Sequence, residues 1–216
     1  MLTRSVVLRR AGLAGVAVTA AVLLSACGGD DSVGSGMGHG SGMATSAPAA
    51  SASAGAGAVF NDADVMFAQM MVVHHRQAIE MASLAGTRAA SSDVKALATK
   101  IKQAQQPEID TMSGWLTAWG KPAPMASASG MDMGMSHGPM PGVMSDADMT
   151  QLAKAKGAEF DKQFLTMMIS HHQGAITMAQ QETAQGSNPD AKTLAAKIIT
   201  DQQAEITQMQ DLLKKV

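Results

Sequence analysis

Residues 70–82 read MMVVHHRQAIEMA, and residues 167–179 read MMISHHQGAITMA. These two stretches coincide without a gap when the sequence is aligned with itself at an offset of 97 residues. The agreement extends over about fifty residues and includes the pairs Asp64 with Asp161 and Gln105 with Gln202. Because chance does not produce this density of matches in one register, we interpret the folded part as one supersecondary unit used twice.

Each unit predicts two helices joined by a short turn. In the first helix His74 and the apolar residues around it recur at spacings of four and three, which places them on one face. A second stripe with this periodicity runs from Leu97 to Met112. One hairpin is too thin to bury its stripe, so we predict an all-α fold, a four-helix bundle of two duplicated αα-hairpins. Within a domain at 59–216, the hairpins would span about residues 60–119 and 145–216, with a Met-rich loop at 120–144.

The positions of the turns predict which side chains face each other. If the hairpins turn near residues 91 and 188, His74 lies level with Glu108, and His171 lies level with Glu205. The second histidine of each His-His pair sits about 100° further round its helix and should line the flank between helices. One turn from this level the sequence predicts two facing pairs of methionine, which are Met70 with Met112 and Met167 with Met209.

Two features depart from a regular hairpin. Pro107 lies inside the predicted second helix, where it should kink the backbone. The start signals at 61–64 and 145–148 are 84 residues apart rather than 97. The third helix should therefore carry about 13 extra residues, with a hinge near Gly157.

The N-terminal segment resembles a bacterial lipoprotein signal. Residues 1–26 hold three arginines, followed by a run of small apolar residues that is too short to span a membrane. The run ends in Leu-Ser-Ala before Cys27, and this resemblance to a lipobox implies a signal peptide at 1–26 and lipidation of Cys27. The alternative is an ordinary secretory signal followed by a chance cysteine. Residues 27–58 are rich in Gly, Ser and Ala and predict a flexible linker, so we expect a lipoprotein at the extracytoplasmic face of the cell membrane.

Composition and charge exclude several functional classes. One cysteine in 216 residues rules out a disulfide framework and a cysteine-based zinc site within a monomer. The net charge is −2, and −5 without residues 1–26, so no basic surface for nucleic acid is expected. The sequence also has no Gly-rich phosphate loop. Its unusual feature is methionine, which occurs 19 times.

The predicted loop between the hairpins concentrates sulfur and imidazole. Met residues alternate there with small or polar residues, without helical periodicity, so these thioethers have no core to enter. Thioether and imidazole ligands suit Cu(I) or Ag(I), which makes the loop a candidate copper site. The alternatives are a compositionally biased linker and sacrificial methionines that absorb oxidants. The residues are Met125, Met131, Met133, Met135, His137, Met140 and Met144, with a weaker cluster at Met37, His39 and Met43.

The histidine blocks allow two interpretations. A buried histidine bonded to a buried glutamate is a common structural layer, and methionines at helical spacing are usually packing. Against this, four histidines and two glutamates at one level form the usual arrangement of metal ligands and their neighbours. The candidate ligands on the helices are His74, His75, His171, His172, Met70, Met71, Met167, Met168, Glu108 and Glu205.

The His-His blocks, each with a downstream Gln-x-x-Glu-Ile-x-x-Met, resemble the domain-of-unknown-function family numbered 305 over about residues 60–216. That resemblance implies a ferritin-like bundle, a secreted or membrane-attached bacterial protein, and kinship with copper-binding and copper-resistance proteins of the CopM type. It also implies that the four histidines of the blocks, with the methionines beside them, are the ligands. Most members of the family have no established activity. The Met-rich insert between the hairpins departs from the family pattern.

We therefore expect an extracytoplasmic, lipid-anchored protein that binds copper ions for sequestration, homeostasis or resistance. One alternative is a structural or interaction lipoprotein without metal, and another is a metal-dependent oxidoreductase. A di-iron carboxylate oxidase needs Glu-x-x-His pairs, and no such pair follows Glu80, Glu108, Glu182 or Glu205. No catalytic triad is visible, so we do not expect an enzyme.

Overall fold

The computed structural model describes residues 59–124 and 140–216. This part of the chain contains five helices: α1 (Asp62–Arg88), α2 (Ser92–Ala118), α3 (Asp146–Lys154), α4 (Gly157–Gln185) and α5 (Pro189–Leu213). The prediction of an all-α bundle is confirmed, because α1 pairs with α2, α4 pairs with α5, and α1 packs along α4. Among these helices none is long and apolar enough to cross a membrane. The predicted signal peptide and linker lie outside the described residues.

Side-chain caps fix where the helices begin. Asn61 caps α1 and forms a capping box with Asp64, and Ser145 does the same for α3 with Asp148. Asn188 accepts bonds from two backbone N–H groups at the start of α5, whose first residue is proline. These are the start signals that the sequence contains.

Two buried aspartates brace the hairpins against each other. Asp64, at the start of α1, accepts hydrogen bonds from the backbone N–H groups of Ser187 and Asn188, in the turn after α4. Asp161, at the start of α4, accepts one from Ser91, in the turn after α1. The start of each helix therefore meets the end of the other, so α1 and α4 are antiparallel and related by an approximate twofold axis.

The apolar core lies on both sides of the α1–α4 contact. Two clusters of buried side chains fill it, and fully buried methionines from all four long helices contribute to them. Burying such a side chain stabilises the fold by about 1.5–3 kcal/mol. The outer helices α2 and α5 touch only slightly. The fully buried methionines include Met71, Met112, Met168 and Met209.

One expectation about irregular backbone needs correction. Helix α2 continues through Pro107 to Ala118 without a break, and the kink expected at Pro107 stays a prediction. The extra residues before α4 form a separate short helix, α3, rather than a hinged extension of one long helix. Gly157 begins α4 at a φ of 66°, a left-handed conformation that favours glycine. The segment ahead of α4 therefore changes direction where we expected a hinge.

A buried carboxyl pair lies beside the Asp64 brace. Glu182 is 2% exposed, and a Cβ on Gly186 would collide with the carboxyl groups of both Glu182 and Asp64. Burial, together with the hydrogen bond to Asp64 and its repulsion, raises the pKa of Glu182 to about 8. Glu182 is therefore mostly protonated at neutral pH, and the carboxyl group of Asp64 beside it, whose pKa is lowered by hydrogen bonds from Asn61, Asn188 and Ser187, is ionised.

This pair makes stability fall as pH rises. The unfolded chain releases the Glu182 proton near its ordinary pKa of 4.5, whereas the folded protein holds it to about pH 8. Between these pH values the free energy of unfolding decreases as pH rises, by at most about 1.4 kcal/mol per pH unit. We expect wild type to lose free energy of unfolding relative to Glu182→Gln across this window, measured by urea unfolding. The exposed Glu80→Gln is the control, and parallel curves for wild type and Glu182→Gln would contradict the carboxyl pair.

Candidate metal centre

Two histidine rings meet where α1 and α4 cross. The rings of His74, on α1, and His171, on α4, lie against each other in a tilted arrangement, with 3.6 Å between their centroids and 38° between their planes. Both residues are fully buried. The heptad-like spacing that places apolar residues in the core therefore places these two rings there as well.

The second histidine of each block bonds to a glutamate of its own hairpin. His75 Nε2 lies 2.9 Å from Glu108 Oε2, and His172 Nε2 lies 2.7 Å from Glu205 Oε2. His75 and His172 are also fully buried. The structure thus brings the four predicted histidines and both predicted glutamates to one level of the bundle.

The predicted facing of these residues was wrong by one position. The sequence placed His74 opposite Glu108, but the ring bonded to Glu108 belongs to His75. The reason is that α4 packs against the face of α1 that carries His74, so the face turned towards α2 begins one residue later. The approximate twofold axis repeats the shift in the second hairpin.

Burial keeps the rings of His74, His75 and His171 uncharged. Desolvation, reinforced by His75, lowers the pKa of His74 to about 3. Desolvation and the neighbouring imidazoles hold the pKa of His171 well below its usual value. Burial also lowers the pKa of His75, although Glu108 opposes this shift. These rings are therefore neutral at pH 7, the form in which imidazole binds metal.

Five ring nitrogens have no hydrogen-bond partner in the described residues. Folded proteins satisfy the large majority of their buried polar atoms, so this concentration at one level requires an explanation. A bound cation would provide partners for several of these atoms at once. The atoms are Nδ1 of His74, His75, His171 and His172, and Nε2 of His171.

The two glutamates differ in their surroundings. Lys197, on α5, donates to Glu108 Oε1 at 3.1 Å and so joins the two hairpins. Lys100, at the equivalent position, forms no such ion pair with Glu205 in the part of the chain described. Burial alone would raise the pKa of Glu108, but the bonds and attraction of His75 and Lys197 bring it below its usual value. Glu108 is therefore an ionised carboxylate that accepts two hydrogen bonds, one from His75 and one from Lys197.

Residues 140–144, here named the strap, lie over the histidine layer. The backbone carbonyl of Pro141 accepts a hydrogen bond of 3.1 Å from His74 Nε2. The side chain of Gln77 bonds to both the N–H and the carbonyl of Met144, each at 2.8 Å. The strap is thus fixed to α1 at two points. Its second residue, Pro141, bonds to the His74 ring, and its last residue, Met144, bonds to Gln77.

Glycines let the strap approach α4 closely. A Cβ at Gly174 would collide with the Pro141 carbonyl, and one at Gly142 would meet the backbone of residues 170–174. Gly142 also has a φ of 76°, which favours glycine. Gly174 corresponds to Gln77 in the repeat, so one half of the duplication makes room for the strap and the other half binds it.

The other end of the insert is also fixed to α1. Gln69 donates to the carbonyl of Pro122 at 3.0 Å, and Arg76 donates to the carbonyl of Pro124 at 2.9 Å. Residue 124 is the last described residue before the gap at 125–139. Both flanks of that gap are therefore held against the helix that carries His74 and His75.

The predicted methionine ligands fall into three groups. Met71 and Met168 are fully buried one helical turn before the histidines, whereas Met70 and Met167 are partly buried. Met140 and Met144 pack against the two core clusters, which corrects the expectation that no methionine of the insert has a core to enter. The remaining predicted ligands lie outside the described residues and are Met131, Met133, Met135 and His137, as does the predicted lipidation site, Cys27.

The donor set fits a soft or borderline metal. Neutral imidazole suits copper, and the buried thioethers beside it suit Cu(I). Within residues 59–124 and 140–216, no three side chains of His, Cys, Asp or Glu are arranged to hold one ion. The adjoining rings of His74 and His171 would therefore have to separate, or thioether sulfur would have to complete the site.

Some residues of this layer were not assigned a role from the sequence. Gln105 and Gln202 are buried one turn from the glutamates, and Gln105 has no partner for its amide in the described residues. Their match in the repeat was a usable signal, because buried polar side chains at equivalent positions indicate a shared layer. Lys197 and Gln77 carried no such signal, since their partners are set by packing between distant segments.

Comparison with known proteins finds solved structures of similar fold. A crystal structure of a DUF305 protein from Streptomyces coelicolor, described as secreted, is 36% identical, with a TM-score of 0.63 over 71% of this chain and 93% of that chain. CopM in its Cu(II)-bound form is 36% identical, with a TM-score of 0.59 over 70% of this chain and 96% of that chain. CopM in its Cu(I)-bound form is 34% identical, with a TM-score of 0.57 over the same shares.

A shorter match occurs in a virus. An uncharacterised protein of Acanthamoeba polyphaga mimivirus is 45% identical over 53 residues, 24% of this chain. The matched part spans about a third of the length of that protein, 35%. The family model of DUF305, a domain of unknown function, matches residues 64–213. Because this match covers well over half of the chain, the protein belongs to the DUF305 family.

Proposed function

We propose that this protein is a lipid-anchored copper-binding protein that sequesters or passes on copper at the extracytoplasmic face of the membrane. His74, His75, His171 and His172 would hold the ion, with thioether sulfur from Met71 or Met168. The Met-rich insert would capture further Cu(I). The proposed role is binding and requires no catalytic step.

One observation carries this proposal: five buried imidazole nitrogens, gathered where α1 and α4 cross, have no partner within residues 59–124 and 140–216. A purely structural polar layer would pair these atoms with each other or with backbone, because each unpaired buried group costs about 1–3 kcal/mol. In this described part of the chain Nε2 of three rings is paired, and Nδ1 of all four is not. A cation that accepts nitrogen ligands offsets this cost.

The relatives support copper as the ion. CopM, at 34% and 36% identity, is known in Cu(I)-bound and Cu(II)-bound forms, and also in a silver-bound form. Soft sulfur and imidazole donors select the monovalent metals, and imidazole also suits Cu(II). The cargo we propose for this chain is therefore copper in either oxidation state.

The bundle site is tested by removing nitrogen while keeping a ring. We expect His171→Phe, which preserves an aromatic ring against His74, to weaken Cu(I) binding by more than the roughly 10–100-fold that loss of an outer-shell partner costs. The measurement is a competition titration with a Cu(I) chelator on the full-length protein. Gln173→Ala, at an exposed position two residues away, is the control. If neither His171→Phe nor His74→Phe changes the affinity for Cu(I), the histidine layer has a structural role and does not bind the ion.

The insert is tested by replacing sulfur with carbon. We expect substitution of leucine for Met131, Met133 and Met135 to reduce the number of Cu(I) ions bound per chain, because leucine keeps the apolar side chain and removes the soft ligand. The matched control changes Ser127, Ser129 and Ser136 to alanine. If the leucine variant retained the full copper content, the insert would be a linker, and its methionines would not be ligands.

The anchor is tested at Cys27. We expect the protein to incorporate labelled fatty acid and to partition with membranes, and Cys27→Ser to abolish both. A basic and apolar leader that ends in Leu-Ser-Ala-Cys motivates this expectation. Release of wild type into the soluble envelope fraction, without label, would instead indicate an ordinary secretory signal.

A further inference from the structure

The hydrogen bonds of the histidine layer determine where its protons reside. The carbonyl of Pro141 can only accept, so the His74 Nε2 that bonds to it must carry a hydrogen. The Glu108 carboxylate, which also accepts from Lys197, accepts from Nε2 of His75, and a carboxyl oxygen of Glu205 lies 2.7 Å from Nε2 of His172. Three rings on two helices therefore share one pattern, an oxygen partner at Nε2.

That pattern leaves a lone pair at the other nitrogen. A neutral imidazole carries one N–H and one lone pair, so a proton on Nε2 makes Nδ1 the free acceptor. Nδ1 of all four rings is buried and has no donor in the described residues. The hydrogen bonds thus place the proton of His74 and His75 on Nε2, and Nδ1 of each ring is buried without a donor in residues 59–124 and 140–216.

We propose that Glu108 and Glu205 are positioning residues, which hold the ring protons of His75 and His172 on Nε2 and present Nδ1 as the atom that binds copper. The Pro141 carbonyl plays the same part for His74. This inference rests on the proposed function. It reassigns both glutamates, which the sequence predicted to be ligands.

Existing contacts oppose a direct role for Glu108 in coordination. Its Oε2 accepts from His75 and its Oε1 accepts from Lys197, so both oxygens are occupied by donors. A metal ion at this carboxylate would compete with the Lys197 ammonium and be repelled by its charge, which lies 3.1 Å from Oε1. Glu205 lacks the lysine but keeps the same bond to its histidine, 2.7 Å long. Equivalent positions of the duplication thus share the bond to Nε2, and the lysine reinforces it in one half.

The tautomers can be read directly, with and without metal. The full-length protein is labelled with ¹⁵N in its histidine rings and examined by long-range proton–nitrogen correlation at neutral pH. In the metal-free protein we expect protonated Nε2 and unprotonated Nδ1 signals for His74, His75 and His172. Ag(I) then serves as a diamagnetic probe for Cu(I). On its addition we expect the Nδ1 signals to shift and split, with the Nε2 protons retained.

Two substitutions separate positioning from coordination. Glu205→Leu removes the acceptor and should give mixed tautomers at His172, with about 10–100-fold weaker Ag(I) binding. Glu205→Gln keeps an oxygen acceptor and should restore the Nε2–H tautomer and most of the affinity, which a carboxylate ligand would not allow. Lys197→Ala removes one of the two donors to Glu108 and should shift the ring signals of His75, which bonds to the same carboxylate. Its matched control, Lys100→Ala, should leave every ring signal unchanged. The exposed Glu80→Leu controls for loss of charge.

The outcomes distinguish this inference from the proposed function. A proton on Nδ1 of His75 or His172 in the metal-free protein, or silver coupling to Nε2, overturns the positioning role while metal binding by the bundle stands. The positioning role is also overturned if Glu205→Gln binds as poorly as Glu205→Leu. If no ring nitrogen responds to Ag(I), the bundle site and this inference both fail.

Discussion

The rest of the fold is arranged around the antiparallel contact of α1 with α4, which buries four imidazole rings. Rings with unpaired nitrogens weaken a core, since each unpaired buried group costs about 1–3 kcal/mol. The contact therefore needs reinforcement at its ends. Asp64 and Asp161 supply this reinforcement. Asp64, at the start of α1, binds the turn after α4, and Asp161, at the start of α4, binds the turn after α1.

Duplication explains the symmetry of this contact, and the insert explains where the symmetry fails. Equivalent positions carry the aspartate braces and the His–Glu bonds. At Gln77 and Gly174 the copies diverge, because the strap covers only one side of the layer. One copy has a glycine that admits the Pro141 carbonyl, and the other has a glutamine whose amide binds both backbone groups of Met144. The insert thus breaks the twofold symmetry through two residues and leaves the helices paired.

The sequence was sufficient for features that depend on periodicity. The repeat, the four long helices and the level shared by histidine and glutamate all follow from spacing along the chain. The rotation of each helix does not, because two adjacent histidines differ by about 100° and either can face the core. The packing of α4 against α1 determines the rotation of α1. It places His74 against His171 of α4, and it turns His75 towards Glu108. The Lys197 bridge and the strap were equally inaccessible, since both join segments far apart in sequence.

The location of the methionines connects the two candidate copper sites. Met140 packs against the cluster that contains Met71, and Met144 packs against the cluster that contains Met168. The strap that carries them is bonded to His74 through Pro141. Sulfur from the insert and sulfur from the helices therefore lie in the same two apolar clusters. Because thioether side chains pack as readily as they coordinate, this arrangement stabilises the core whether or not a soft ion is bound.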